Sequence, residues 1–306
     1  MLLALCAASA KADPLRVATW AGDFSKDGPG LLLRDLVRDP GALGLGPILT
    51  AEPDILLLTD FDYDAGQAAL TALRAALAAQ GLDYPYAFSA RPNSGMQTGV
   101  DLDGDGRTGG PRDAQGFGFF SGYGGQAILS RVPLTLVADH AGALWRDAPR
   151  SLMAPADPAP DIQRLASTTF WQITAETEDG PLTLLTLAAT PPVFDGPEDR
   201  NGRRNHDEVL FWHHRLDGIN RPVILLGNFN LDPDRGDGLR NAVQTVLENP
   251  ALQDPAPGSD TVSWDSTGPM RVSYVLPDAR LTVLGAGTVG PDPDAGPHAL
   301  VWVDVE

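Results

Sequence analysis

Several segments of this chain place ionisable or hydrogen-bonding side chains where strands are expected to end. After the apolar run PDILLL, residues 59–64 read Thr-Asp-Phe-Asp-Tyr-Asp. After PVILL, residues 227–233 read Gly-Asn-Phe-Asn-Leu-Asp-Pro. Gly296-Pro297-His298 stand just before a final alternating stretch, and Ala21 follows LRVATW. Carboxylates at such edges can hold a hard divalent cation or take a proton from water. An imidazole such as His298 can stabilise developing charge or protonate a leaving group.

Three further groupings carry possible chemistry. Asp101-Leu102-Asp103-Gly104-Asp105-Gly106 spaces three carboxylates alternately and offers glycine for a sharp turn, as a calcium loop begins. Position twelve of that loop is Arg112 rather than Glu, so an EF-hand is excluded and an isolated calcium-stabilised loop is the candidate, with a solvated Asp/Gly turn as the plain alternative. Arg200, Arg203 and Arg204 form the clearest basic cluster. Either they are an ion-paired helix entrance with Asp199, Asp207 and Glu208, or Arg203 and Arg204 contact a substrate phosphate. Gly285 to Gly290 spells G-x-G-x-x-G but runs into Pro291, so it lacks the helix N-terminus that would cradle an anion. His206, His213 and His214 do not have the H-E-x-x-H spacing of a zinc helix. Trp145, Trp171, Trp212 and Trp264 read as packing residues.

The elements that must position these groups are legible from periodicity. Strands are predicted at 15–20, 54–58, 126–136 (broken by Pro133), 168–177, 181–188, 222–226, 270–276, 280–286 and 299–305. Helices are predicted at 30–37, 65–80 (ending at Gly81), 205–218 and 235–249. Residues 91–125 and 141–163 read as irregular. Short buried strands, hairpin-like pairs and few helices fit two packed sheets with helices outside better than a doubly wound parallel sheet.

Composition narrows the partners. The 306 residues include 33 Gly and 27 Pro, which disfavours a helix bundle. The formal net charge is −18, so a general nucleic-acid-binding role is disfavoured, because that binding rests on Lys and Arg displacing counterions. No apolar run beyond the N-terminus is long enough for a membrane span. Residues 2–10 (LLALCAASA) followed by Ala10-Lys11-Ala12 read as the remnant of a signal peptide over 1–12, leaving a single domain at 13–306 and a periplasmic or secreted location. The mature chain would then lose the only cysteine, Cys6.

In order, the segments at Ala21, Asp60, Gly125-Gln126-Ala127-Ile128-Leu129-Ser130-Arg131, Asn228/Asn230, Arg271-Val272-Ser273-Tyr274-Val275-Leu276-Pro277 and His298 resemble the endonuclease/exonuclease/phosphatase superfamily, the deoxyribonuclease I-like fold. PVFDGPEDRNGRRNHDE at 192–208 is similar to a bacterial subgroup of it. The resemblance runs from about residue 15 to the C-terminus. It implies an α/β four-layer sandwich of two packed mixed β-sheets flanked by helices, and metal-dependent in-line attack of water on a phosphoester. Carried over residue by residue, the family's metal-orienting Asn is Ala21, its metal-binding Glu is Asp60 and its catalytic His is Ala188. Its Asp-x-Asn is Asn228 with Asn230 kept, the Asp of its Asp-Tyr-Val-Leu-Pro segment is Ser273, and its Ser-Asp-His is Gly296-Pro297-His298. His298 and Asn230 remain as remnants, while Asp60 and a weak Asn228 are the surviving metal donors.

The expectation is therefore a catalytically impaired member, a pseudoenzyme that binds Mg²⁺ or Mn²⁺ weakly or not at all and is kept for a phosphorylated ligand or a protein partner. Two alternatives stand beside it. One is an active metal-dependent phosphodiesterase or phosphatase in which Asp62, Asp64, Asp232 or Asp234 replaces a lost carboxylate. The other is a non-catalytic, calcium-stabilised binding module.

Overall fold

The computed structural model describes residues 14–220 and 222–306, so the predicted leader at 1–12 lies outside the described residues. In chain order the strands are β1 (Leu15–Trp20), β2 (Ile55–Phe61), β3 (Tyr86–Ser89), β4 (Gly125–Ser130), β5 (Leu134–Asp139), β6 (Trp171–Thr177), β7 (Gly180–Ala188), β8 (Val223–Asn228), β9 (Val262–Trp264), β10 (Gly268–Met270), β11 (Ser273–Pro277), β12 (Val283–Val289) and β13 (Leu300–Val305). The α-helices are α1 (Leu31–Arg38), α2 (Gly46–Ala51), α3 (Ala68–Ala78), α4 (Arg200–His213) and α5 (Asn241–Leu247).

Alternation along each strand builds the layers. Side chains of a strand point to opposite faces in turn. In β1 and β2, Val17, Ile55 and Leu57 face the second sheet, while Ala18, Leu56 and Leu58 face Leu32, Ile48 and Leu73 of the helices. In β8, Ile224 and Leu226 meet the first sheet, while Val223 and Leu225 pack on Phe211, Trp212 and Val243 of α4 and α5. Helices, sheet, sheet and helices thus form the four expected layers. The six-stranded sheet runs β12-β13-β1-β2-β4-β3 and the five-stranded sheet β11-β8-β7-β6-β5. Within these two sheets only β1–β2 and β7–β8 pair in parallel.

Several predicted boundaries shift by a few residues, and three changes are larger. The stretch predicted as one broken strand at 126–136 is two strands in different sheets, with Pro133 at the crossing. The helix predicted at 205–218 begins at Arg200, so the Arg cluster lies on it. The helix predicted at 235–249 shrinks to Asn241–Leu247, because Gly236 and Gly238 both adopt positive φ and hold the chain in a turn. The glycines of the G-x-G-x-x-G stretch lie in and just after β12, where a Cβ on Gly287 would stand 3.1 Å from the Trp302 ring. Gly285 and Gly287 thus leave room for that ring beside the strand. Among the described residues no helix is long and apolar enough to cross a membrane.

Candidate functional site

The carboxyl ends of the two parallel pairs, β1–β2 and β7–β8, open on the same edge of the sandwich, where ligands of open α/β sheets gather. A cleft of about 670 Å³ lies there. Ala21, Thr59, Asp60, Ala188, Asn228, Asn230 and His298 all line it, so the fold brings together residues more than 270 positions apart in sequence (298 against 21). Ala188 and Ser273 are both register partners of Asn228, which sets the three side by side across β7, β8 and β11. They lie on the face turned toward the other sheet.

Asp60 is placed by a β-bulge. Leu58 pairs with Ala127 but Phe61 pairs with Gly125, so one extra residue is accommodated at Thr59–Asp60. Bulges of this kind re-aim a side chain at a sheet rim. Asp60 Oδ2 accepts a hydrogen bond from the Ser25 hydroxyl at 3.0 Å. Burial pushes the Asp60 carboxyl up to about 7, against the opposing effect of Ser25. Asp62 behaves similarly, pushed up by burial to about 6 while accepting bonds from the backbone amides of Lys26 and Gly124.

His298 keeps its place but not a partner. Its carbonyl accepts from Trp20 Nε1 at 3.0 Å, and its ring meets Trp264 edge-on at 5.5 Å. Its Nδ1 is buried without a hydrogen-bond partner, and burial pushes the imidazole down to about 4. The Ser273 hydroxyl is likewise buried and unpartnered. Asn230, at φ 50°, turns its amide onto the Ala189 carbonyl at 2.7 Å, and its own backbone amide donates to Asn228 Oδ1 at 3.0 Å.

The four carboxylates offered as replacements are either bound to backbone amides or outside the cleft. Asp62 is held as described and does not line the cleft. Asp64 accepts from Gly66, Ala68 and Ala69 at the entrance to α3. Asp232 accepts from the backbone amides of Asp234, Arg235 and Arg271. Asp234 does not line the cleft.

Arg203 and Arg204 do not line the cleft either. Arg203 makes a two-pronged pair with Asp157, at 2.6 and 2.8 Å. Arg204 is buried and donates to the carbonyls of Leu165, Gln115, Arg164 and Ala166. Four residues on, the buried Glu208 accepts from the backbone amides of Ser167 and Thr190 at 2.6 Å each. Arg204 and Glu208 thus tie down backbone beside the cleft, and the geometry favours the structural reading over an anion contact. His206 is spent on Asp207 and Asn241.

Asp101, Asp103 and Asp105 do converge. Their carboxylates bring one oxygen each within 4.8 Å of the others, and among the described residues no other trio of His, Cys, Asp or Glu does so. Asp101 also accepts from Gly104 and Gly106, which adopt positive φ.

Sequence reasoning missed two parts of the cleft. The β9–β10 hairpin brings Trp264 and Met270 to its wall; the alternation Val-Ser-Trp followed by the turn Asp265-Ser266-Thr267-Gly268 is the signal for it. Phe117 and Phe194 form an exposed aromatic rim, 51% and 77% accessible, and come from loops with no periodicity to reveal them.

The sequence model described as the Endonuclease/Exonuclease/phosphatase family matches residues 19–297. Among solved structures the chain is similar to an endonuclease/exonuclease/phosphatase from Beutenbergia cavernae, at TM-score 0.60 and 19% identity over 96% of this chain and 72% of that one. It is similar to a family protein from Leptotrichia buccalis, at TM-score 0.54 and 14% identity over 95% and 99%. Sphingomyelinase C from Streptomyces griseocarneus is a further likeness, at TM-score 0.51 and 16% identity over 96% and 100%. No curated protein matches the sequence.

Proposed function

The chain belongs to the endonuclease/exonuclease/phosphatase family, and from that premise we propose that it is a catalytically impaired member whose cleft is kept for binding. The observation that carries this reading is the row Ala188–Asn228–Ser273 together with His298. At the edge where the family's reaction is done, that row presents a methyl group and a carboxamide to the cleft, the Ser273 hydroxyl is buried outside its lining, and the imidazole has no carboxylate to orient it.

The donor set does not fit a tightly held Mg²⁺. Such an ion is held by one or two carboxylates together with further free oxygens in near-ideal octahedral geometry. Here Asp60 is the one carboxylate not already tied to backbone amides among the family positions, and Asn228 adds only a carbonyl oxygen that already accepts from Asn230. A base contributes about 10²–10⁴ in rate and an electrostatic donor about 10²–10³. These losses do not add within one catalytic unit, yet losing base, His and its partner together removes most of the acceleration. Hydrolysis of bis(p-nitrophenyl) phosphate with Mg²⁺, Mn²⁺ or Ca²⁺ tests the reading. The expected result is no turnover above the metal-only blank. Turnover that disappears in Asp60→Ala overturns it.

A calcium-stabilised binding module is the second reading, favoured by the convergence of Asp101, Asp103 and Asp105. The two are compatible, because the loop lies outside the cleft. Calcium would suit the periplasmic or secreted location proposed from the N-terminal sequence.

A further inference from the structure

We propose that the cleft is a recognition site for an organic ammonium ion, with Asp60 as its counter-charge and aromatic side chains as its apolar walls. This deepens the reading of the cleft as a binding site and replaces the phosphorylated ligand with one of opposite charge.

The charge of the walls comes first. Asp60, Asp232 and Asp237 line the cleft, and Arg235 is the one lining cation among the described residues. Its guanidinium is taken by Asp232 at 3.0 Å and Asp260 at 2.5 Å. Among the described lining residues no cation is without a carboxylate partner, and the body charge of −18 repels a phosphate at long range.

Asp60 is built for the opposite guest. Among the described residues no Lys or Arg forms an ion pair with it, and the nearby Lys26 ammonium is bonded to Asp23. Ser25 occupies Oδ2. Oδ1 is reached past Gly124, where a Cβ would stand 2.9 Å from it, so glycine keeps the approach open. Beside it the Thr59 hydroxyl is buried, lines the cleft and has no partner. An ammonium group carries several donors, so one can meet the open Asp60 oxygen while others remain for a second acceptor on the cleft wall.

The walls suit the rest of such a molecule. Tyr123 lies across Ser25 from Asp60, Phe117 stacks edge-on to Tyr123 at 6.2 Å, and Trp264 stands on another wall. Aromatic faces attract a cation, and more strongly where water is excluded. The volume is that of a small-molecule pocket and larger than a hydrated metal ion needs.

Calorimetry on the full chain in metal-free, low-salt buffer at pH 8, where the Asp60 carboxyl is ionised and the amine still protonated, tests this with three probes of one shape: phenethylammonium, phenethyl alcohol and phenethyl phosphate. The ammonium is expected to bind at least about tenfold more tightly than the alcohol, with the phosphate weakest. Asp60→Asn should abolish the difference between ammonium and alcohol, and Phe117→Ser, on the exposed rim, should weaken both together. Equal binding of ammonium and alcohol, tightest binding of the phosphate, no binding of the ammonium, or a preference that survives Asp60→Asn each overturns the proposal. The three-probe ranking on the unaltered chain decides even if a variant fails to fold. Metal-dependent phosphodiester turnover would sink the impaired-enzyme reading and leave this ranking standing.

Discussion

Asn228 and Ser273 face each other in register across β8 and β11, and Ala188 flanks Asn228 on its other side. Neighbouring strands lie about 4.8 Å apart, so three adjacent positions of one row define a patch that a single ion and a single phosphoryl group could span. In this chain the row carries no charge and no proton donor stronger than a hydroxyl.

That row predicts what would restore chemistry. Ala188→His, Asn228→Asp and Ser273→Asp refill it, while Asp60→Glu and Pro297→Asp act from the facing sheet. The acids added by Asn228→Asp and Ser273→Asp are buried and in register with each other, so the combined variant should be less stable than the parent without metal and regain stability with Mg²⁺. Turnover of bis(p-nitrophenyl) phosphate should then rise at least about 10²-fold above the parent. A folded variant that takes up Mg²⁺ and remains inactive would show that these positions were wrongly matched to the family's roles.

Asp60 and His298 pull stability in opposite directions with pH. The Asp60 carboxyl sits at about 7, above its ordinary value, so the folded state holds a proton that the unfolded state has already released. Its contribution is complete below the ordinary Asp range and is lost as pH rises through about 7. His298 sits at about 4, below its ordinary value; its contribution is complete above about 6.5 and is lost as pH falls through about 4. Asp60→Asn should therefore match the parent only below about pH 4, and gain on it by roughly 2–3 kcal/mol between pH 5 and pH 8 in urea unfolding. The His298 ring resonance should hold its neutral shift until well below pH 6. A parent that gains stability relative to Asp60→Asn between pH 5 and 8 would contradict the burial argument.

The layered fold was open to sequence reading because its strands are short apolar runs or strict alternations, as in LRVATW, PDILLL and PVILL. The site was open for a related reason: Asp60, Asn228 and His298 stand next to those runs. What stayed hidden depends on long-range packing. Pro133 could be seen to interrupt a strand, but not that the chain changes sheets there. Arg203 and Arg204 have the composition of a phosphate contact; that their guanidinium groups instead meet Asp157 and four backbone carbonyls follows from loops 38 to 89 residues away. Phe117 and Phe194 belong to irregular segments whose course no local pattern fixes.

Arg204 yields a sharp stability prediction. Its guanidinium is buried and bonded to carbonyls of residues 115, 164, 165 and 166, with Glu208 near enough to favour its charge. Arg204→Ala leaves those carbonyls and the buried Glu208 without their cation, a loss of about 3–5 kcal/mol by analogy with broken buried pairs. Arg204→Lys should rescue little, because one ammonium cannot reach the same spread of acceptors. Denaturant unfolding measures both. A cost under about 1 kcal/mol for the alanine variant would place the guanidinium in solvent and reopen its reading as an anion contact.

Calcium at the 101–106 loop makes the remaining prediction, and the three aspartates should answer differently. Asp101 spends both oxygens on backbone amides, Gly104 at 2.7 Å and Gly106 at 2.9 Å, so it shapes the loop as well as facing its partners. Asp103 and Asp105 each give one oxygen to an amide two residues on. Asp101→Ala should therefore lower the melting temperature with or without calcium. Asp103→Ala should leave the calcium-free melting temperature nearly unchanged and remove the rise that calcium produces in the parent. That rise follows the ratio of free ion to dissociation constant, about 2.7 kcal/mol at a hundredfold excess. Mg²⁺ should give a smaller rise, because it demands near-ideal octahedral geometry and gives up water reluctantly. If melting of the parent is insensitive to chelator and calorimetry finds no calcium uptake, the trio is a solvated turn, and the turn-forming hydrogen bonds of Asp101 are its whole function.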